Sequence, residues 1–389
     1  MKSMFRNVIA AFVSILISIA GAEAGPLRAA DATPKIEVTF VLDTTGSMAN
    51  LIGGAKQKIW TIAREIVAGR PTPAIKLGLV GYRDRGDEYV TKLFDMTDDL
   101  DAVYGHLMEF QTGGGGDTPE SVNQALNEAV TKVSWSKDPN SLKIIFLVGD
   151  APPHMDYSDD VKYPETVRLA KAAGIVIITI QCGPYAPTTA AWQDIATLAG
   201  GGFVQIDQSG GMTATSTPID AELARVGAEL TSTVVPYGSA ARQSEVRTKG
   251  SLAGGAAVDR LAYLNVDRAE FGAKVVVTGE GELIWDVVNR KVKLEEIPDS
   301  DLPVQLQPMS LEARKEFVDQ QFSKRKELQI KVDELSTKRD NFVKADMEAR
   351  IAKGVGDSFD AKVAEMIQAQ ARLRGIQYDI TVSGNTPAK

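Results

Sequence analysis

Short apolar segments alternate, over the first part of the chain, with segments in which apolar residues recur at helical spacing. Six apolar segments predict strands, at residues 36–43, 74–82, 89–94, 142–150, 174–182 and 201–207. The intervening segments predict helices near residues 49–68, 98–110, 119–134, 163–173, 188–199 and 219–233. Strands that are apolar throughout are typical of a parallel sheet covered by helices on both faces. The pattern therefore predicts an α/β fold, doubly wound, with a mostly parallel six-stranded sheet.

The second and third predicted strands are an exception to the parallel arrangement. They are joined by six residues, 83–88, which are polar apart from Gly86. A parallel pair needs a crossover of a dozen or more residues, usually a helix, so this connection is too short for one. We therefore expect a hairpin and one antiparallel strand at the edge of the sheet.

A different pattern follows the predicted sheet. Residues 236–255 are rich in Ser, Gly, Ala and Arg, which favours a linker or a poorly packed connection. Residues 274–288 favour a small strand-turn-helix element. Further on, Ser310 is placed as an N-cap with Glu312 in the first turn, and this predicts a long charged helix.

That long helix is predicted to run to about Lys353, with a turn at Gly354–Asp357 and a second helix at Phe359–Arg374. Heptad-like spacing in the first helix lasts only about two heptads, at Leu328, Val332, Leu335 and Phe342. Three or four heptads would indicate a coiled coil, so the pattern favours a helical hairpin. We expect the hairpin to be separable from the α/β domain.

The N-terminus resembles an export signal. Lys2 and Arg6 precede the apolar run Val8–Gly21, and the small-x-small sequence Ala22-Glu23-Ala24 follows it. This order predicts a cleaved signal peptide and a periplasmic or secreted protein, with an uncleaved anchor as the alternative. No later segment is long and apolar enough to predict an integral membrane helix.

The predicted organisation has six parts, and their boundaries follow from these patterns. They are a signal peptide at 1–24, a linker at 25–34, the α/β domain at 35–234, a linker with a small mixed element at 235–308, a helical hairpin region at 309–380 and a disordered tail at 381–389.

Composition limits the chemistry of the chain. The 389 residues include 43 Lys and Arg against 51 Asp and Glu, a net charge of −8, so nucleic acid is not an expected partner. Cys182 is the only cysteine, which excludes intramolecular disulfides and cysteine-rich zinc sites. We expect any metal to be held by oxygen atoms. Of the two histidines, His106 is expected on a helix, and His154 in a solvent-facing loop, with ligand contact as its alternative.

Oxygen-bearing side chains follow the first predicted strand at alternate positions. They are Asp43, Thr45 and Ser47. In an open parallel sheet, ligands gather beyond the carboxyl ends of strands where the strand order reverses, and the first strand normally lies there. The loop has a purely structural interpretation too, with Ser47 as a helix cap and Asp43 accepting from backbone amides.

Two further loops are expected at the same edge. Gly113–Gly116 precede Asp117 and Thr118, and Asp150 ends the fourth predicted strand. Carboxylates and hydroxyls from three loops match the oxygen ligands that Mg²⁺ or Mn²⁺ takes in near-octahedral sites. Together the three loops favour a metal site over a helix cap.

These motifs resemble the von Willebrand factor type A domain and its metal-ion-dependent adhesion site. Asp43, Thr45 and Ser47 match the first motif of that site, Asp117 or Thr118 the second, and Asp150 the third. The resemblance implies a Rossmann-like α/β domain over residues 35–234. It implies a bound divalent cation, with Mg²⁺ expected and Mn²⁺ and Ca²⁺ as alternatives, and a protein partner that places a Glu or Asp on the metal.

Enzyme motifs are not recognisable in the sequence. The dehalogenase-type phosphotransferases need a second Asp two positions after the first, where this chain has Thr45. No phosphate-binding loop with its lysine and no nucleophile elbow occurs. We therefore expect an exported metal-dependent protein-binding module and no enzyme activity, with an assembly or maturation factor for a periplasmic or envelope complex as the alternative. The sequence leaves the oligomeric state open.

Overall fold

The computed structural model describes residues 33–50, 52, 62, 66, 68–206, 217–254, 280–352 and 359–378. The predicted signal peptide, most of the helix predicted at 49–68, the strand predicted to begin at 274, the turn at Gly354–Asp357 and the tail at 381–389 lie outside these residues. The described residues from Pro34 onward belong to one compact unit.

The sheet has six strands among the described residues, and its order is β3-β2-β1-β4-β5-β6. The strands are β1 (Lys35–Asp43), β2 (Ala74–Tyr82), β3 (Thr91–Thr97), β4 (Leu142–Gly149), β5 (Ile175–Cys182) and β6 (Phe203–Ile206). All pairs are parallel except β2 with β3, which are antiparallel. The predictions of a mostly parallel six-stranded sheet and of an antiparallel edge strand are confirmed.

Helices cover both faces of the sheet. They are α1 (Leu100–Glu109), α2 (Val122–Thr131), α3 (Tyr163–Ala172), α4 (Ala186–Ala199), α5 (Asp220–Thr231), α6 (Ala240–Gly254), α7 (Leu283–Val288), α8 (Leu311–Ala352) and α9 (Phe359–Arg372). One apolar core contains Phe40, Leu107 and Phe146, and a second contains Val41, Leu126 and Trp192. Because neighbouring residues of β1 enter different cores, the strand is buried on both sides, as its uniform apolar sequence predicts. No helix among the described residues has the length and apolar character needed to cross a membrane.

The topology determines where along the carboxyl ends of the strands a ligand site is expected. The chain builds outward from β1 through β2 to β3, and then returns to place β4 on the other side of β1. The strand order thus reverses between β1 and β4, and the crevice beyond their carboxyl ends is where such sheets bind ligands. Asp43 ends β1, and Asp150 follows the last residue of β4.

The predicted linker at 236–255 is wrong, because most of it forms helix α6. Val246 is buried, and the ammonium group of Lys249 is buried against the carboxylates of Asp99 and Glu245. The composition is poor in large apolar residues, so the pattern gave no helix signal. A buried ion pair to Asp99, 150 residues away along the chain, helps fix this helix in place.

Helix α8 packs on the α/β domain through α5. Leu328, Val332 and Leu335 form an apolar cluster with residues of α5, so the heptad-like spacing marks the contact with that helix. Nearby, Arg325 is buried, and its guanidinium donates to both carboxylate oxygens of Glu282, at 2.9 and 3.0 Å. Phe342, the fourth heptad position, is exposed.

Helix α9 and the residues that follow it as far as Tyr378 contribute to the core of the α/β domain. The apolar cluster on one face of the sheet includes Val363, Ile367, Ala371, Ile376 and Tyr378. The two predicted C-terminal helices exist, but their buried residues lie in different clusters. The expectation of a separable hairpin is therefore wrong, because the second helix covers the sheet.

Candidate metal centre

The first loop folds back onto the end of β1. Asp43 is fully buried, and its Oδ1 accepts a hydrogen bond from the backbone N–H of Thr45 at 2.8 Å and one from the Thr45 hydroxyl at 2.6 Å. The short 3₁₀ helix Gly46–Asn50 then places the exposed Ser47 with its Oγ 3.0 Å from the Thr45 Oγ1. The alternate oxygen side chains of the sequence thus converge on one point.

The third loop joins this group through Asp150. Its carboxylate is buried at the end of β4, and its Oδ1 accepts a hydrogen bond from the Ser47 hydroxyl at 3.0 Å. Gly149 permits the close approach of the two strands, because a Cβ there would lie 2.9 Å from the Cβ of Asp43 and 2.4 Å from the hydroxyl oxygen of Tyr82. The structure therefore brings Asp43, Thr45, Ser47 and Asp150 together, as predicted.

The glycines of the second loop place it against the first. The backbone N–H of Gly46 donates to the carbonyl of Gly114 at 3.2 Å, and that of Gly113 donates to the carbonyl of Thr44 at 3.1 Å. Gly114 has a φ of 71°, and a Cβ there would lie 2.2 Å from the carboxylate of Asp87, so only glycine fits. The backbone of this loop is fixed beside the metal-site residues.

Glu120 is a buried acid of the site that sequence reasoning missed. Its carboxyl lies near Gly115, where an added Cβ would be 3.1 Å from Glu120 Oε1 and 3.1 Å from the Cβ of Thr45. The sequence predicted a helix from 119, which would put Glu120 in an ordinary first turn. The helix instead begins at Val122, and Glu120 stays in the loop. The string Thr-Pro-Glu after the glycines was the available signal.

The two ligand candidates of the second loop, Asp117 and Thr118, are both exposed. Asp117 lies near two residues that the sequence analysis did not place at the site. A carboxylate oxygen of Asp117, one of Asp84 and a ring nitrogen of His154 lie within 4.8 Å of one another. His154 is only 3% exposed, so the expectation of a solvent-facing loop histidine is wrong. Thr118 lies next to Asp117 on the exposed part of the loop.

Electrostatic repulsion is strong at this edge of the sheet. Burial raises the pKa of Asp43 to about 7, with a further contribution from the charge of Asp150, although the hydrogen bonds from Thr45 oppose the shift. Burial and the charges of neighbouring acids, Asp43 first among them, raise the pKa of Glu120 to about 9. The negative charges are therefore poorly compensated by the described residues.

Two features of the cluster fit a bound divalent cation. The hydroxyl of Thr45 donates its one proton to Asp43, and that of Ser47 donates its one proton to Asp150. The two hydroxyl oxygens lie 3.0 Å apart, and because neither has a second proton to donate, they face each other with lone pairs. The Asp43 Oδ2 is buried and has no hydrogen-bond partner among the described residues. A cation would satisfy these oxygens and offset the charge of the acids.

The raised pKa of Asp43 predicts how pH changes the response to metal. The carboxyl ionises near its ordinary pKa of 3.8 in the unfolded chain and near 7 in the folded chain, so its contribution to metal-free stability is lost as pH rises through this window. Mg²⁺ needs the ionised form and competes with the proton. We expect the rise in melting temperature caused by Mg²⁺ to be small at pH 5.5 and to increase up to pH 8.5. Thermal melts with Mg²⁺ and with EDTA measure this, and a rise that is independent of pH would contradict it.

Comparisons with known proteins agree with the fold. Residues 37–208 match the family model described as von Willebrand factor A domain. Among curated proteins, von Willebrand factor A domain-containing protein 7 of Rattus norvegicus is 36% identical over 129 residues, which are 32% of this chain and 13% of that protein. The Homo sapiens protein of the same name shows the same identity and coverage. The matched region thus spans 13% of the length of these relatives.

Solved structures provide further likenesses. The SpRpn10 VWA domain has 11% sequence identity and a TM-score of 0.35, over 58% of this chain and 100% of that one. Proximal thread matrix protein 1 from the mussel byssus, with a zinc-occupied MIDAS motif, has 18% identity and a TM-score of 0.34, over 45% of this chain and 42% of that one. Likenesses of this size say nothing of what this chain binds.

Proposed function

We propose, from the premise that residues 37–208 are a von Willebrand factor A domain, that this chain is an exported protein-binding module that binds its partner through a divalent cation. Asp43, Thr45, Ser47 and Asp150 would hold the cation, with Asp117 or Thr118 from the second loop. Mg²⁺ is the expected ion, with Mn²⁺ and Ca²⁺ as alternatives, because the donors are hard oxygen atoms.

The observation that carries this proposal is the convergence of two carboxylates and two hydroxyls at the point where the strand order reverses. Asp43 and Asp150 are buried, whereas Ser47 is exposed, so a cation held by the group would be accessible from the surface. A six-coordinate ion held by so few side chains keeps water or open positions. A carboxylate of a partner protein can replace one of those waters.

Binding is a better interpretation than catalysis for these residues. The hydroxyls of Thr45 and Ser47 donate to carboxylates that are part of the same cluster. In the proposed site these carboxylates hold the cation, and a carboxylate committed to a cation is not free to take the proton of a serine or threonine nucleophile. We therefore propose that the chain is not an enzyme at this site.

Export is the second part of the proposal and rests on the N-terminal sequence. The N-terminus has the features of a cleaved signal peptide, namely the basic residues Lys2 and Arg6, an apolar run to Gly21 and small residues around Glu23. The partner is therefore expected in the periplasm or outside the cell. The net charge of the chain is −8, so an acidic partner would be repelled unless the metal supplies a local positive field.

The proposal predicts capture of a partner that depends on metal. The full chain is immobilised and exposed to periplasmic extract in Mg²⁺ and in EDTA, and we expect EDTA to release the bound protein. Ser47→Ala should weaken capture, because it removes the exposed hydroxyl of the cluster. Ser323→Ala is the matched control, since Ser323 is an exposed serine on α8.

Substitutions in the partner then test the contact itself. Its interface Glu and Asp residues are changed one at a time to Gln and Asn, and one of them should raise the dissociation constant in Mg²⁺ but not in EDTA. A single stable partner supports an adhesion role, and a set of immature subunits supports the assembly alternative. Equal affinity in Mg²⁺ and EDTA would refute the proposed function.

A further inference from the structure

A second group of side chains that could hold a metal lies next to the first, and the only residue named for both groups is the second-loop candidate Asp117. Asp84 follows β2, Asp117 belongs to the glycine-rich loop, and His154 follows β4. One ligand atom from each lies within 4.8 Å of the other two. Asp84 and His154 are 4% and 3% exposed, and Asp117 is exposed, so the group is a buried pair with one side open to solvent.

The imidazole of His154 is held as metal-binding histidines are held. Its Nδ1 lies 2.7 Å from Oδ1 of Asp156, and an ionised carboxylate can only accept, so Nδ1 carries the proton. A metal-ligating histidine usually donates a hydrogen bond from its other ring N–H to a carboxylate in this way, which fixes the tautomer and the direction of the ring. The ring is also stacked on Tyr157, with centroids 3.9 Å apart.

The other ring nitrogen of His154 is buried and faces a carboxylate. Nε2 of His154 has no hydrogen-bond partner among the described residues and lies 3.3 Å from Oδ2 of Asp84. If Nδ1 alone carries a proton, the lone pair of Nε2 faces a carboxylate oxygen. A cation between these atoms would turn that repulsion into two bonds.

The carboxylate of Asp84 is held in place by two hydroxyl groups. Its Oδ1 accepts from Ser121 at 2.6 Å, and its Oδ2 accepts from Tyr157 at 2.8 Å. Each carboxylate oxygen has a further lone pair, so these bonds orient the group without using all of its capacity. Hydrogen-bonded carboxylates of this kind are typical of metal ligands.

We propose that Asp84, Asp117 and His154 form a second divalent-cation site that takes a transition metal of the Zn²⁺ class. One imidazole and two carboxylates suit Zn²⁺ better than Mg²⁺, which prefers oxygen ligands only. Three protein ligands leave a fourth position for water, toward the solvent beside Asp117. The expectation that any metal would be held by oxygens alone then applies to the first site, and Thr118 is left as the second-loop ligand there.

The test is a Zn²⁺ titration of the full chain in saturating Mg²⁺. The wild-type chain should bind one Zn²⁺, and Asp117→Asn and His154→Gln should each weaken binding by at least about 10-fold, which is the effect of losing a residue that only orients a ligand. Asp117 is exposed, so its variant should fold normally. The matched controls are His106→Gln, which changes the other histidine, and Ser47→Ala, which changes the first site. Both should keep the Zn²⁺ affinity.

The outcomes separate this proposal from the proposed function. Unchanged Zn²⁺ affinity in Asp117→Asn would overturn the second site and leave the Mg²⁺-dependent partner untouched. Loss of Zn²⁺ binding in Ser47→Ala would also overturn it, because the ion would then occupy the first site.

Nitrogen NMR of the wild-type chain, which has two histidines, gives an independent test without any substitution. The proposal requires that the nitrogen resonance of Nε2 in one histidine shift when Zn²⁺ is added, while Nδ1 of the same ring keeps its proton. A His154 ring that is doubly protonated and unaffected by Zn²⁺ would show an ion pair instead, and would overturn the site.

Discussion

Replacing Asp43 with Asn is expected to abolish the stabilisation of the folded chain by Mg²⁺. Asp43 is the most buried acid of the first site, and its Oδ2 has no hydrogen-bond partner among the residues that the structure describes. The amide keeps the shape of the side chain but removes the charge that offsets a dication. In the wild-type chain, Mg²⁺ at about 100 times its dissociation constant should add about 2.7 kcal/mol by mass action. The variant should show no such gain.

The same variant should raise stability when metal is absent. The pKa of Asp43 is raised from 3.8 to about 7, so its ionised form costs at most on the order of 4 kcal/mol in the metal-free protein above neutral pH. The neutral amide avoids this cost. We therefore expect a higher melting temperature in EDTA at pH 8, together with no response to Mg²⁺, a combination that simple damage to the fold would not produce.

A buried acid on the same strand provides the control. Glu37 lies at the opposite end of β1, is 4% exposed, and accepts from the backbone N–H of Ser136. Glu37→Gln should leave the Mg²⁺ response intact. Thermal melts and titration calorimetry decide the matter, and an unchanged Mg²⁺ affinity in Asp43→Asn would refute the first site.

Removing the chain after residue 358 is expected to prevent cooperative folding. The truncation deletes α9 and the following segment, whose buried side chains cover one face of the sheet. Four of them, Val363, Ile367, Ile376 and Tyr378, are large, and burial of such side chains contributes about 1.5–3 kcal/mol each. Their combined loss is comparable with the whole stability of about 5–15 kcal/mol that most domains have.

The contacts of this segment are specific. The backbones of Arg70 and Gln377 exchange two hydrogen bonds, of 2.7 and 2.9 Å. Gly69 lies under Ile376, and a Cβ there would be 2.6 Å from the isoleucine side chain. A chain that ends after Tyr378 keeps these contacts and should melt as the full chain does. It is the matched control for the truncation.

A single substitution tests the same contact without changing the length. Ile376→Ala should lower the free energy of unfolding by about 2–5 kcal/mol, as for other buried isoleucines. Leu373→Ala is the control, because Leu373 is 76% exposed and its loss should change stability by about 0.5 kcal/mol or less. Urea denaturation measures both. A chain ending at residue 358 that melts cooperatively at the wild-type temperature would contradict the role assigned to α9.

Much of the site was visible in the sequence because it depends on local order along the chain. Strands apolar on both faces, such as Phe40 and Val41 in β1, predict their own burial. Side chains that directly follow such strands must lie at the edge of the sheet, and this places Asp43 beside Asp150. Ser47 lies in the short loop that follows Asp43, and this loop brings its hydroxyl to the carboxylate of Asp150.

Glu120 was missed for a physical reason. A proline followed by an acid is the ordinary start of a helix, so the pattern placed Glu120 in a solvated first turn. The loop instead continues to Ser121, because the backbone of Glu120 is bonded to that of Pro152 and His154. No local pattern carries that contact, since the residues lie more than thirty positions apart.

The sequence by itself determined the strands, their predominantly parallel order and the first group of oxygen ligands, since each follows from the local alternation of apolar and polar residues. Tertiary structure alone decided which surfaces the later helices cover and which distant side chains meet. The amphipathic spacing of Val363, Ile367 and Ala371 predicts a helix but does not specify the sheet beneath it. Likewise Asp84, Asp117 and His154 come from three loops, and their approach depends on the packing of the whole domain.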